Sequence, residues 1–134
     1  MGKHISDSLY TVCCHIMSSD EDQPIVMDVY AGLDISGRLV ICVDLHDYDE
    51  PEYNCSTAAV VNIEDSQAMA RYYNVKHSQL PIFIAECMEE WGEIFNPDFN
   101  QVRDCFMEIT ECLLDEGCRF RIDRTYGKGG SVCF

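Results

Sequence analysis

The sequence is short of positive charge. Nine lysines and arginines stand against 24 aspartates and glutamates in 134 residues, a formal net charge of −15. That deficit excludes the basic surface with which proteins hold nucleic acid or anionic membrane, and it favours cations or basic protein surfaces as partners. Also missing is any run of about eighteen apolar residues that would cross a bilayer. The opening MGKHISDSLY has no apolar signal-peptide core. The expected compartment is therefore the cytoplasm.

Chemical motifs are equally scarce. There is no C-x-x-C pair, G-x-S-x-G elbow, H-E-x-x-H helix, Walker loop or dinucleotide fingerprint. Lys128 stands among glycines, but a hairpin turn explains it better than a phosphate loop, because no strand–loop–helix surrounds it. His46 lies with Asp44, Asp47, Asp49 and Glu50, yet without the D-x-[DN]-x-[DN]-G order of a calcium loop. Cys13, Cys14 and His15 are adjacent, so strand alternation sends neighbours to opposite faces. The expectation is a protein without catalytic residues, metal or cofactor. A small enzyme, metal-dependent or pairing Cys13 or Cys55 with His15 or His46, is the outlying alternative, since such pairs meet in space rather than in sequence.

What is present is a core. Hydrophobic residues make up 47% of the chain, enough for one folded domain over 1–134. Of nine cysteines, Cys42, Cys87, Cys105 and Cys112 fall inside apolar periodic runs, where a thiol behaves as a small hydrophobe. Thiols rather than disulfides are expected in a reducing compartment.

Periodicity orders the chain. Tyr10, Val12, Cys14 and Ile16 alternate over 9–17. Ile25, Met27, Val29, Ala31 and Leu33 alternate in a second strand, and Leu39, Ile41, Val43 and Leu45 in a third, with D-I-S-G turn chemistry between them. This is an antiparallel meander. Its outer face carries Val26, Tyr30, Val40 and Cys42, an apolar patch that must be covered by the chain or by a second copy. A fourth strand is expected over 57–63 and a helix over 65–74. A longer helix follows to Phe95, burying Leu80, Ile84, Cys87, Met88, Trp91 and Phe95 and exposing Glu86, Glu89, Glu90 and Glu93. Gly92 should weaken it by about 1 kcal/mol relative to alanine. A helix–turn–helix over 66–83 reads as packing, because its second helix offers Gln79, Glu86 and Glu89 where DNA readers place Arg or Lys.

The longest helix is expected over 98–117, capped by Asp98 and stopped by Gly117. Val102, Cys105, Phe106, Ile109, Cys112 and Leu113 form its apolar stripe. Asp104, Glu108, Glu111 and Asp115 form a second, carboxylate stripe. Beyond it, Cys118, Phe120 and Ile122 point inward and Arg119, Arg121 and Asp123 outward, and a glycine turn leads to a last strand over 131–134. The predicted fold is α+β: a sheet of four to six antiparallel strands, the meander plus a C-terminal hairpin, with about three helices on one face.

Charge is divided unevenly. Residues 1–117 hold 23 acids and 5 bases, whereas 118–134 hold one acid and four bases. The carboxylate stripe repeats every 4.5–6 Å or so along its helix, comparable with the charge spacing of a nucleic-acid strand. Like charges at i, i+4 cost a few tenths of a kcal/mol per pair, and chains selected for stability alone interleave lysines. These rows predict an acidic interaction module, an inhibitor or decoy for a basic partner such as a nucleic-acid-binding protein. The candidate contacts are Asp104, Glu108, Glu111 and Asp115, with Glu86, Glu89, Glu90 and Glu93 as a second row. A homodimer through Val26, Tyr30, Val40 and Cys42 is the alternative.

Overall fold

The computed structural model describes residues 10–20 and 22–126. Five strands run β1 Tyr10–Ser18, β2 Ile25–Asp34, β3 Leu39–Asp47, β4 Cys55–Val61 and β5 Phe120–Tyr126. They pair antiparallel in sequence order, a five-strand meander. Four helices lie between β4 and β5: α1 Ile63–Tyr72, α2 Leu80–Cys87, α3 Glu89–Gly92 and α4 Phe99–Asp115. The fold is α+β. The glycine turn with Lys128 and the strand expected over 131–134 lie outside the described residues.

Alternation places Met27, Val29, Ala31 and Leu33 of β2 beside Leu39, Ile41 and Val43 of β3 and Ala59 and Val61 of β4 on one buried face. The helices close over that face with Leu80 and Ile84 of α2 and Val102, Cys105, Phe106, Ile109 and Leu113 of α4. The α4 termini are fixed by local chemistry. Asp98 accepts from the Gln101 amide at 2.8 Å while the Gln101 side chain accepts from the Asp98 amide at 2.9 Å, a reciprocal capping box. Gly117 takes φ +78° and ends the helix. The β2–β3 turn is held by Asp34, whose carboxylate accepts from the Ser36 and Arg38 amides and from Arg38 Nε at 2.7 Å.

The structure departs from the pattern reading in several places. A bulge between His15 and Met17 turns both Ile16 and Met17 into the core, so the simple β1 alternation fails there. α1 begins at Ile63, because Asn62 caps it by accepting from the Asp65 amide. The expected helix to Phe95 breaks at Met88, whose amide is shared between the Ile84 and Ala85 carbonyls. As a result Cys87 is exposed, and Phe95 is 88% exposed instead of buried. Cys112 also leaves the α4 apolar stripe for solvent, and Thr110 is buried in the helix instead. The α1–turn–α2 unit sets Ala70 and Leu80 in the interior, with α2 lying on β1 and β2.

Seven described cysteines form no disulfide: Cys13, Cys14, Cys42, Cys87, Cys105, Cys112 and Cys118. Cys55 is disulfide-bonded, against the expectation of thiols throughout. Among the described residues no helix is long and apolar enough to cross a membrane.

Candidate functional site

The α4 helix presents Asp104, Glu108, Glu111 and Asp115 on its exposed side. Its 17 residues make a rod of about 25 Å, and the row spans about 17 Å of it from Asp104 to Asp115. The charges sit against the helix dipole. The first turn holds no acid and the last turn holds no base, while Asp115 and Glu116 stand at the end where carboxylates are disfavoured by about 0.3–1 kcal/mol each.

None of these four carboxylates is neutralised by an ion pair among the described residues. Two of the three C-terminal arginines are committed elsewhere, Arg119 Nε to Asp65 at 3.1 Å and Arg121 Nε to Asp123 at 3.0 Å, and Arg124 stands on β5 opposite Thr57 of β4. Arg38 is taken by Asp34. Arg103, the one base within α4, donates to Asn100 Oδ1 at 2.6 Å.

Glu86, Glu89, Glu90 and Glu93 are all exposed, but the break at Met88 puts Glu86 on α2, Glu89 and Glu90 on α3, and Glu93 at the C-cap of α3. They form an acidic region without the regular spacing of α4. Trp91 connects the two regions: its Nε1–H donates to Glu108 Oε2 at 3.1 Å.

Cysteine thiols register the local field. Partial burial raises the Cys112 pKa above its usual value, and the carboxylates of Glu108, Asp115, Glu116 and Glu111 raise it further. Burial and then Glu108 push Cys105 up to about 12. Glu116, just past the last turn of α4, lies outside the carboxylate stripe yet acts on groups from several elements. It accepts a hydrogen bond from Tyr73, which holds the Tyr73 hydroxyl well above the usual phenol range, and it also raises Cys87 and Cys118. Its role depends on the α1 and α4 ends meeting, which no local spacing signals.

A test follows from the sign of the Cys112 shift. A raised thiol pKa means less thiolate at neutral pH, so alkylation of Cys112 by neutral iodoacetamide is expected to be slow and to rise only at alkaline pH. Reversing Glu108 and Glu111 to lysine should lower the pKa and speed alkylation several-fold, each pKa unit being about tenfold in thiolate. High salt should accelerate the native protein and leave the reversed one less affected. Peptide mass spectrometry reads Cys112 separately from the other exposed thiols.

The other candidate residues are dispersed or covered. Val26, Tyr30, Val40 and Cys42 are 5, 3, 3 and 1% exposed within the single chain. The patch offered to a second copy is therefore not an open apolar face. Of the His46 cluster, Asp47 accepts from the Asp49 and Glu50 amides, and Asp44 is buried against Tyr30, Cys42 and Ser56. No group of three or more metal-ligating side chains converges among the described residues. His15 touches Ser18 Oγ at 2.6 Å and Asp28 Oδ1 at 3.3 Å. Both contacts use Nε2, and the Ser18 hydroxyl donates to Asp28 rather than to the ring. A nucleophile–base–orienter relay needs the two ring nitrogens to serve different partners. This trio does not form one.

No family model, curated protein or solved structure matches this chain. Function has to be argued from the surface itself.

Proposed function

We propose that this chain is a non-catalytic, acidic interaction module. It occupies a cationic groove on a basic protein, and in the sharper form of the reading that protein binds nucleic acid. Asp104, Glu108, Glu111 and Asp115 supply the regular row, and Glu86, Glu89, Glu90 and Glu93 extend it across α3 and α2. The observation that carries this reading is the row's lack of compensation: four exposed carboxylates on a capped helix, with no ion pair among the described residues. Mutual repulsion and the dipole both make this arrangement costly to stability. A function that uses the charge accounts for it.

The mechanism is electrostatic occupancy. A rigid row of negative charge meets lysines and arginines spaced for phosphates and releases the anions they held. Affinity capture from nuclease-treated lysate at low and high salt tests it. Nucleic-acid-binding proteins should be retained at low salt and released at high salt. Reversing Glu108 and Glu111 to lysine should weaken that retention about tenfold or more, or ~1.4 kcal/mol. Retention that ignores both salt and the reversal would remove the row from the function.

A further inference from the structure

A second surface carries the opposite chemistry. Between the β2–β3 turn and the C-terminal end of α1 lies an open cavity of about 520 Å³, lined by Ser36, Gly37, Ile63, Gln67, Ala70, Arg71, Val75 and His77. Its size falls in the usual range for small-molecule sites. In a chain with 24 acids, no carboxylate lines it.

The sequence builds this cavity by local means. Ile63, Gln67, Ala70 and Arg71 stand at helical spacing on one side of α1. Asn74 adopts φ +57° and ends that helix, letting the Val75 amide reach the Ala70 carbonyl at 3.0 Å. The chain then brings His77 back to the β2–β3 turn, where Nε2 donates to the Gly37 carbonyl at 2.6 Å. Gly37 is needed twice over: its φ is +87°, and an added Cβ would stand 3.2 Å from Ile63 Cδ1 and 3.4 Å from His77 Nε2.

The polar groups are left available. With Nε2 engaged, His77 retains Nδ1 for a second partner. The Arg71 side chain makes no ion pair or hydrogen bond among the described residues, unlike those of Arg38, Arg119 and Arg121. The nearby acids are directed elsewhere: Asp34 is taken by Arg38, Asp65 is bonded to Arg119, and Glu64 acts on Arg119. Ile63, Ala70 and Val75 give the cavity an apolar floor.

We propose that this cavity binds a small organic anion, a carboxylate or phosphate head on a compact apolar body. The Arg71 guanidinium takes the head, since its fork matches either group bidentately. Gln67 and His77 Nδ1 stand beside it, and the body lies on Ile63, Ala70 and Val75. The site is separate from the acidic row, and its test does not depend on that reading.

Amide NMR titrations with hexanoate and phenyl phosphate measure it, with hexanol, hexylamine and inorganic phosphate as controls. Saturable shifts centred on Ser36, Gln67, Arg71 and His77 are expected for one or both organic anions, and the stronger of the two identifies the head group. Binding of hexanol and hexylamine should be weaker by about tenfold or more. Arg71→Gln, at an exposed position, should weaken the anion by a similar factor without changing the melting temperature. Absence of saturable shifts in the millimolar range overturns the proposal. So does equal binding of hexylamine, inorganic phosphate binding as well as its phenyl ester, or indifference to Arg71→Gln.

Discussion

Replacing Asp44 with alanine is expected to destabilise the protein by about 2–4 kcal/mol, the cost of taking the shared acceptor away from buried hydrogen-bond donors. Asp44 lies on the sheet face opposite the helices and is 2% exposed. Its Oδ2 accepts from the Tyr30 hydroxyl at 3.1 Å, and its Oδ1 accepts from the Cys42 thiol at 3.2 Å and from the Ser56 hydroxyl. Burial and the adjacent Asp44 carboxylate push the Cys42 thiol well above its usual range, so Cys42 stays a neutral donor. Removing the carboxylate takes the acceptor from two buried donors, Tyr30 and Cys42, and from half-buried Ser56, at about 1–3 kcal/mol for each buried donor that stays unsatisfied. Chemical denaturation should show the loss directly, and the melting temperature should fall by roughly 3 °C per kcal/mol. Tyr30→Phe with Asp44→Ala should cost less than the two changes summed, because they share a bond. An Asp44→Ala protein as stable as the native one would mean that this cluster contributes nothing.

Gly92 to alanine is expected to destabilise as well, with the opposite sign to its helix propensity. In an isolated helix the change gains about 1 kcal/mol. Here a Cβ would stand 2.8 Å from the Ile16 carbonyl oxygen. That oxygen belongs to the β1 bulge and has no rotamer through which to yield. Overpacking of this kind costs about 1–3 kcal/mol, so alanine should lower stability by about 1–2 kcal/mol and valine by more. Trp91, the single tryptophan, sits beside the site and bonds Glu108. Its emission should shift with the displacement. An alanine variant that melts higher than the native protein would show that α3 can lift from β1 at no cost.

What the sequence revealed and what it concealed divide by range. The Asp98 cap, the Gly117 stop and the inward alternation of β2 from Met27 to Leu33 and of β3 from Leu39 to Val43 are local signals, and each is present as read, whereas Ile25 and Leu45 at the strand ends are only half-buried. The α4 carboxylates were legible for the same reason, since four residues on one helix need nothing beyond a period. The β1 bulge was not, because an extra residue in a strand changes the face of its neighbours without a marker in composition. The break at Met88 carries no proline or glycine, and it appears where the chain must lay Trp91 and Gly92 against α4 and β1. In the sequence Asp44 groups only with its neighbours His46, Asp47, Asp49 and Glu50. Its three donors come from β2, β3 and β4, so only the sheet register joins them. The His77–Gly37 bond, spanning forty residues, is hidden in the same way.

The locked ends of α4 bear on kinetics. On the proposed reading, a helix clamped at both termini and seated on the core needs no backbone ordering when a basic partner meets it, and only its carboxylate side chains lose freedom on contact. Ionic strength would then act on how fast the two molecules find each other, and the lifetime of the complex would rest on whatever close packing follows the first encounter.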